Sequence, residues 1–266
     1  MQYSRGSKFI VTVRPKLALT SIFSSGTTNN AFHASDVLFD WTGFHFPKFP
    51  FAAKLIGITT MVQGDDLTLT QEPMNLFFAQ PNPDGTAPPS LGAPDAAIST
   101  AKGGYYRNML GIAEIVINDG NDLIINQSFS QTVSHYTDDK ETLPIILGSE
   151  KLTTENANNG NLYIAGQCIA TPSFGSALLV NNSNQAATTA ATNITVDSDV
   201  TKLFSIGDTV HAHDGAEVGI VTGFGDAAGS NQATILQFAG GIKEAIEDDD
   251  ELVNLQPITI RLMFEA

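Results

Sequence analysis

The sequence predicts an all-β protein: a jelly-roll-like β-sandwich with a small SH3-like β-barrel inserted before the last strand. Two observations lead to this fold class. Within many short segments, apolar and polar residues alternate with a period of two. Clusters of Gly, Pro, Asn and Asp separate these segments from one another. The period of 3.6 residues that marks an amphipathic helix is almost absent. Many short antiparallel strands of this kind are accommodated well in a sandwich.

Apolar, β-branched or aromatic segments bounded by turn residues predict the strands of the sandwich. They are residues 8–15, 36–46, 52–62, 67–70, 75–80, 106–119, 123–133, 142–148 and 162–174. In the second of these, DVLFDWTGFHF, the spacing of Val37, Phe39, Trp41 and Phe44 predicts that the four side chains line one core face. The phenylalanines of FHFPKFPF (44–51) favour the core over a rim for subunit contacts.

Residues 81–97, PNPDGTAPPSLGAPDAA, are too rich in Pro and Gly for a helix or a central strand. We expect an ordered excursion that serves as a contact arm. A segment rich in proline loses less entropy on docking than a flexible one, because its unbound ensemble is already restricted.

The chain is predicted to form two units. Residues 181–192 contain no large apolar side chain, and five short strand-like segments follow them. The last segment, QPITIRLMFEA, alternates strictly and supplies a partner that the first unit lacks. We therefore expect a main sandwich of residues 1–182 plus 257–266, a linker at 183–192, and an inserted barrel at 193–256.

Composition and charge disfavour several classes of partner. The net charge is −15, and residues 181–266 carry 13 acidic and only 3 basic side chains. Such a surface repels phosphate, so we expect neither nucleic-acid binding nor attachment to anionic membranes. The sequence has no run of 18 apolar residues and no secretion signal at its start, so we expect the chain to be made and first kept in a cytoplasm. The single cysteine, Cys168, excludes an intrachain disulfide and is expected to be buried.

His211, His213 and Asp214 form the most suggestive polar cluster in the sequence. Two histidines two residues apart point to one side of a strand, and with a carboxylate they suit zinc or iron. However, Asp214 and Gly215 are also a strong hairpin signal, and no third ligand follows at a motif spacing. The hairpin turn is the favoured interpretation; a metal-dependent hydrolase that uses these three residues is the weaker alternative.

No other motif indicates chemistry. The acidic run at 247–251, EDDDE, is contiguous and lacks the spacing of a calcium loop, which favours a solvated loop. His33 and His135 are isolated, and His45 is expected to pack among aromatic residues. The sequence thus predicts no catalytic, cofactor-binding or metal-ligating residue and no cofactor, and it predicts that the protein is not an enzyme.

Four stretches of the main unit carry a resemblance to a known class of protein. They are DWTGFHFPKFPFAAKLIGITTMVQGDD, NLFFAQPNPDGTAPPSLGAPDAA, LPIILGSE and NLYIAGQCIATPSFGSALL. These stretches resemble virion structural proteins of marine tailed bacteriophages, especially cyanophages. The segment from GDTVHAHDG to PITIRLMFE is similar to small β-modules of the same group.

The resemblance implies a component of the phage particle and transfers no site residues. It implies a capsid decoration or cement protein that binds the head surface, with the major capsid protein or other virion subunits as partners. The symmetry of a phage head favours a homo-oligomer, with a trimer as the preferred state. The alternative is a tail or host-contact component, either an adaptor or a carbohydrate-binding module.

Overall fold

The computed structural model of the chain describes residues 8–18, 32–45, 52–63, 73–115, 123–126, 129–135, 146–148, 161–172, 174, 178–180, 191–225 and 234–265. In these ranges the strands pair antiparallel throughout, and the helical elements are two 3-10 helices, Thr100–Arg107 and Val200–Lys202. The predicted all-β class is therefore confirmed. The strands are β1 (Lys8–Val13), β2 (Val37–His45), β3 (Ala52–Gln63), β4 (Met74–Ala79), β5 (Met109–Ile115), β6 (Leu123–Asn126), β7 (Phe129–His135), β8 (Ile146–Gly148), β9 (Asn161–Cys168), β10 (Leu178–Leu179), β11 (Asn193–Thr195), β12 (Thr209–Ala212), β13 (Glu217–Phe224), β14 (Ile235–Phe238), β15 (Glu251–Asn254) and β16 (Ile258–Glu265).

Two sheets form the larger unit and enclose its core. The first has the strand order β1-β16-β3-β7-β6, with β8 pairing the first residues of β3. The second has the order β2-β9-β4-β5. Buried apolar side chains from both sheets pack into one cluster, as expected for a β-sandwich. The cluster includes Leu38, Phe39, Leu55, Ile58, Met74, Leu76, Phe78, Leu162, Ile164 and Phe264.

The C-terminal strand β16 lies inside the first sheet, between β1 and β3. Along it Ile258, Ile260, Leu262 and Phe264 are fully buried, whereas the side chains between them are partly or fully exposed. Burying an apolar side chain of this size stabilises a fold by roughly 1.5–3 kcal/mol. The alternation in the sequence thus corresponds to a strand with one face on the core.

Strand β2 divides its large side chains between the two faces of the second sheet. Its pairing with β9 shifts register between Val37 and Phe39 and again between Phe39 and Thr42. Phe39 and Phe44 consequently belong to the core between the sheets, while Val37 and Trp41 belong to a second cluster on the outer face. The prediction of one shared core face is wrong for Val37 and Trp41, because each bulge reverses the alternation along the strand.

The segment after β4 folds back over the outer face of the second sheet. Leu91 and Tyr105 are buried there, and Trp41 Nε1 donates a hydrogen bond to Pro89 O (2.8 Å). Residues 81–97 therefore pack against the second sheet of the same chain and do not project as the expected arm. The physical reason is the burial of Leu91, which is the segment's one large apolar side chain besides its prolines. Packing on the sheet removes this side chain from water.

The smaller unit is a closed sheet. Its strand order is β10-β15-β12-β13-β14-β11, and an antiparallel bridge between Val180 and Val196 joins the two ends. Its first strand, β10, precedes the predicted linker at 183–192, so this sheet uses residues that the sequence assigned to the sandwich. The SH3-like character of the unit stays a prediction. Its core includes Val180, Ile194, Val196, Phe204, Val210, Val218, Leu236, Phe238, Ile246 and Leu252.

Three further predictions concern single features of the chain. Cys168 is buried in the core, as expected. Phe44 is buried too, whereas residues 46–51 of the phenylalanine-rich segment and linker residues 183–190 lie outside the described residues. Among the described residues, no helix has the length and apolar character needed to cross a membrane.

Candidate functional site

The histidine pair that the sequence singles out lies on the hairpin between β12 and β13. Asp214 Oδ1 accepts a hydrogen bond from Ala216 N (2.8 Å), and Gly215 has a φ of 87°, which glycine adopts without steric cost. The predicted hairpin turn is confirmed. His211 is buried whereas His213 is exposed, and in the described part of the chain these residues and Asp214 do not form a group with metal-binding geometry.

His211 is a buried imidazole beside two opposite charges. Burial lowers the pKa of His211, the positive charge of Lys16 lowers it further, and the carboxylate of Glu217 acts in the opposite direction. A bulge in the β12–β13 pairing places His211 opposite Glu217. The Nδ1 atom of His211 is buried without a hydrogen-bond partner. These surroundings favour the neutral form of the imidazole.

The acidic run at 247–251 is a turn that leads into β15. Glu247 N donates a hydrogen bond to Asp250 Oδ2 (2.7 Å), and Asp249 has a φ of 67°. The side chains of residues 247–249 are exposed, which agrees with the solvated loop expected from the sequence. His45, expected among aromatic residues, is instead exposed, and its Nδ1 lies 2.9 Å from Asn161 Oδ1.

A different cluster has the geometry of a metal site: His33, Asp36 and Asp95. Each offers one ligand atom, and these atoms all lie within 4.8 Å of one another. His33 Nδ1 lies 3.6 Å from Asp36 Oδ2, and the same oxygen accepts a hydrogen bond from His33 N (2.7 Å). The His33 side chain is 76% exposed, whereas that of Asp36 is 13% exposed. The histidine is thus mostly in solvent, whereas the two carboxylates are partly buried.

Backbone contacts hold Asp36 and Asp95 in place. Cys168 N in β9 donates to Asp36 O (2.9 Å), and Asp36 also forms a bridge with Ala97. Asp95 N donates to Val37 O (3.0 Å), and Asp95 has a φ of 63°. The cluster therefore sits where the segment covering the second sheet crosses the start of β2, and both carboxylates are fixed to the same sheet.

The charges at this cluster are incompletely balanced. Burial raises the pKa of Asp95, the neighbouring charge of Asp36 raises it further, and His33 has the opposite effect. Within the described ranges, the Oδ1 atom of Asp95 is buried and has no hydrogen-bond partner. A buried carboxylate oxygen without a partner carries a desolvation cost. A proton or a cation would offset this cost.

A second polar network joins the two units. Asp208, in the small unit, is 2% exposed, and its Oδ1 lies 2.7 Å from Arg14 Nη1 of the sandwich. Its Oδ2 accepts hydrogen bonds from Ser205 N (2.8 Å) and Asn254 Nδ2 (3.2 Å). Arg14 Nη2 also donates to Gln256 O (2.9 Å). This network is structural, since it satisfies a buried carboxylate and ties the barrel to β1.

An open cleft of about 580 Å³ lies beside this junction. It is formed by the chain after β1, the middle of β2, Pro94 in the covering segment and Gln256 between β15 and β16. Its lining combines one aromatic ring, Trp41, with charged and amide side chains that include Arg14, Asp40 and Gln256. An aromatic ring with planar polar groups around it is suited to a polar, ring-shaped ligand.

Comparison of the chain with protein-family models, with curated proteins and with solved structures finds no match.

Sequence reasoning missed the cluster of His33, Asp36 and Asp95. From the sequence, His33 is interpreted as isolated, and neither Asp36 nor Asp95 is indicated as a ligand. His33 and Asp36 are three positions apart before a strand, but Asp95 follows in a Pro-rich segment far along the chain. No spacing rule connects the two segments. Only the packing of residues 81–97 onto the second sheet brings them together.

Proposed function

We propose that the protein is a non-enzymatic structural subunit of a phage virion, and specifically a capsid decoration or cement protein that binds and stabilises the head surface. Its partners are the major capsid protein or other virion subunits, and further copies of itself, with a trimer as the favoured state. Its location is the particle, after assembly in the host cytoplasm. The resemblance of four stretches of the sequence to phage virion proteins is the starting point.

The observation that carries the proposal is the pair of open sheet edges with exposed apolar side chains. In the described residues, β1 ends the first sheet and β5 ends the second. Ile10 on β1 is 61% exposed, and Ile112 on β5 is 52% exposed. An edge strand offers unpaired backbone groups to a neighbouring chain, and an apolar side chain on it adds burial when a neighbour docks.

Rigidity also supports a role in assembly. The barrel is fixed to the sandwich by the Arg14–Asp208 ion pair, and Val253 and Leu255, at the end of the barrel and just after it, belong to the sandwich core. A body that is already ordered loses little conformational entropy on binding. The net charge of −15 favours basic or polar partner surfaces over nucleic acid.

The test is binding of the purified protein to expanded phage heads, measured by co-sedimentation. We expect saturable binding, and we expect Ile10→Lys and Ile112→Lys to weaken it at least tenfold by placing a charge in the contact. The matched control is Ile206→Lys, because Ile206 is 67% exposed on the barrel and belongs to neither of these two edge strands. Absence of binding to heads, together with absence of the protein from purified particles by mass spectrometry, would remove the proposal.

The cleft at Trp41 favours one second candidate, a tail or host-contact component that binds carbohydrate. The cleft lies at the junction of the two units and uses the sandwich's tryptophan. A glycan array with wild type and Trp41→Ala tests this candidate. Binding that depends on Trp41, with antibody labelling on the tail instead of the head, would favour it over head decoration.

A further inference from the structure

The cluster of His33, Asp36 and Asp95 differs from an ordinary surface group of acidic residues. The cluster combines an imidazole with two carboxylates, contributed by two segments that are distant in the sequence. Two ligands bound to one ion at about 2.1 Å each lie at most about 4.2 Å apart. The 3.6 Å between His33 Nδ1 and Asp36 Oδ2 already satisfies this limit, and separations of up to 4.8 Å within the set exceed it by at most about 0.6 Å.

A second observation, independent of the grouping, points to a cation as the ligand. Among the described residues, the Oδ1 atom of Asp95 is buried and has no hydrogen-bond partner. Asp36 places a second carboxylate beside it, so the two negative charges repel each other. His33 is the group that opposes this repulsion, and its side chain is mostly in water.

We propose that His33, Asp36 and Asp95 bind one divalent transition-metal ion of the zinc or manganese class. One imidazole nitrogen and two carboxylate oxygens leave at least one coordination position for water. The imidazole suits Zn²⁺ and the two carboxylates suit Mn²⁺, whereas Mg²⁺ and Ca²⁺ prefer oxygen ligands alone. The proposal does not depend on the role in a virion.

The ion would act as a cross-link between the covering segment and the sheet. Asp36 is attached to β9 through Cys168, and Asp95 is attached to β2 through Val37. An ion held by both aspartates therefore fixes residues 81–97 at the point where they cross β2. The expected consequence is added stability of this face of the sandwich, since a ligand that binds only the folded chain stabilises it.

The test uses the full chain after dialysis against a chelator. Zn²⁺ and, separately, Mn²⁺ are titrated by calorimetry in excess Mg²⁺, which occupies weak sites on this acidic surface. We expect one saturable ion per chain. At a metal concentration of 100 times the Kd, we expect the melting temperature to rise by roughly 5–10 °C. In the metal-bound protein, we expect His33 to be protected from acylation by diethyl pyrocarbonate, read by mass spectrometry.

The matched variants are two double substitutions of the same chemistry. His33→Ala with Asp95→Asn removes two ligands, whereas His213→Ala with Asp214→Asn removes the exposed histidine and its neighbour on the barrel hairpin. We expect the first to weaken binding by at least the ~10–100-fold that loss of a supporting group costs at metal sites, and the second to leave it unchanged. His33→Ala alone, a change at a 76% exposed side chain, serves if the first variant folds poorly.

Two results would overturn the proposal. One is the absence of a saturable Zn²⁺ or Mn²⁺ site in the wild-type chain under excess Mg²⁺. The other is equal binding by the His33→Ala variant and the His213/Asp214 control, because ions held without the imidazole are adventitious ions on the acidic surface.

Discussion

Replacing Arg14 with methionine tests whether the junction network holds the barrel to the sandwich. Methionine keeps much of the apolar stem but removes the charge that pairs with Asp208 and the donor that reaches Gln256 O. Asp208, 2% exposed, would then be a buried carboxylate without its cation. Two hydrogen bonds, from Ser205 N and Asn254 Nδ2, would remain to hold it.

The magnitude follows from the burial of the two partners. Removing one partner of a fully buried ion pair costs about 3–5 kcal/mol. Two features of Arg14 lower this figure: its side chain is 31% exposed, and its Nε–H is buried without a partner, a cost that the substitution relieves. Loss of the bond to Gln256 O adds about 1 kcal/mol. We therefore expect Arg14→Met to reduce the free energy of unfolding by about 2–4 kcal/mol.

The assay is urea unfolding followed by the fluorescence of Trp41, the only tryptophan, and by circular dichroism. The control is Lys243→Met, which breaks the ion pair with Glu217, because both of those side chains are about half exposed. Such a surface pair contributes about 0–1 kcal/mol. Equal losses in the two variants would refute the reasoning, since burial is the stated difference between the pairs.

Three further predictions concern packing, pH and the division into units. Gly166→Ala should destabilise the fold by about 1–3 kcal/mol, because its Cβ would lie 2.3 Å from Phe39 Cε1; chemical denaturation measures this. Since burial holds the pKa of His211 below the 6.5 of an unfolded histidine, the unfolded chain binds more protons, and stability should fall as the pH drops below about 6.5. His211→Leu should reduce this loss of stability at low pH, as measured by melting curves at a series of pH values. A short Gly/Ser bridge in place of residues 178–252 should leave a cooperatively unfolding sandwich by calorimetry, because Val253 stays in its core.

Each of the three has a matched control. Gly43→Ala should cost little, as its Cβ would meet Tyr163 Cε1 at an ordinary 3.4 Å, so equal losses at both glycines would contradict the packing argument. His213→Ala, at an exposed position, should leave the dependence of stability on pH unchanged. If it reduced the loss of stability at low pH as much as His211→Leu does, the effect would be due to surface charge and not to burial. A deletion of residues 185–254 removes Val253, so its product should be less stable than the one that lacks residues 178–252. If the 185–254 deletion gave the more stable product, the assignment of Val253 to the sandwich core would be contradicted.

The sequence was sufficient for local structure wherever one physical rule decided the outcome. Strict alternation in the last segment gave β16 a buried face, because a period of two sends every second side chain to the core. Asp214 and Gly215 gave the hairpin turn, because glycine takes a positive φ without a clash. Alternation failed in β2, where bulges that no residue announces move Trp41 to the outer face.

The candidate metal site could not be predicted by the same means. A spacing rule works when one element carries all the ligands, but Asp36 and Asp95 belong to segments that meet only after folding. The cleft at Trp41 and the Arg14–Asp208 pair are likewise contacts between elements distant in the chain. In each case the polar residues alone resemble ordinary turn or surface residues.

By itself the sequence determined the all-β class, the buried face of its alternating last segment and the strongly acidic character of the surface, because these follow from side-chain periodicity and from summed charge. Tertiary structure alone decided that residues 81–97 cover a sheet, that β10 and β11 close the barrel, and that an imidazole and two carboxylates converge beside β2. The physical reason is that pairing register and packing depend on contacts over long stretches of chain, and local preference does not encode those contacts.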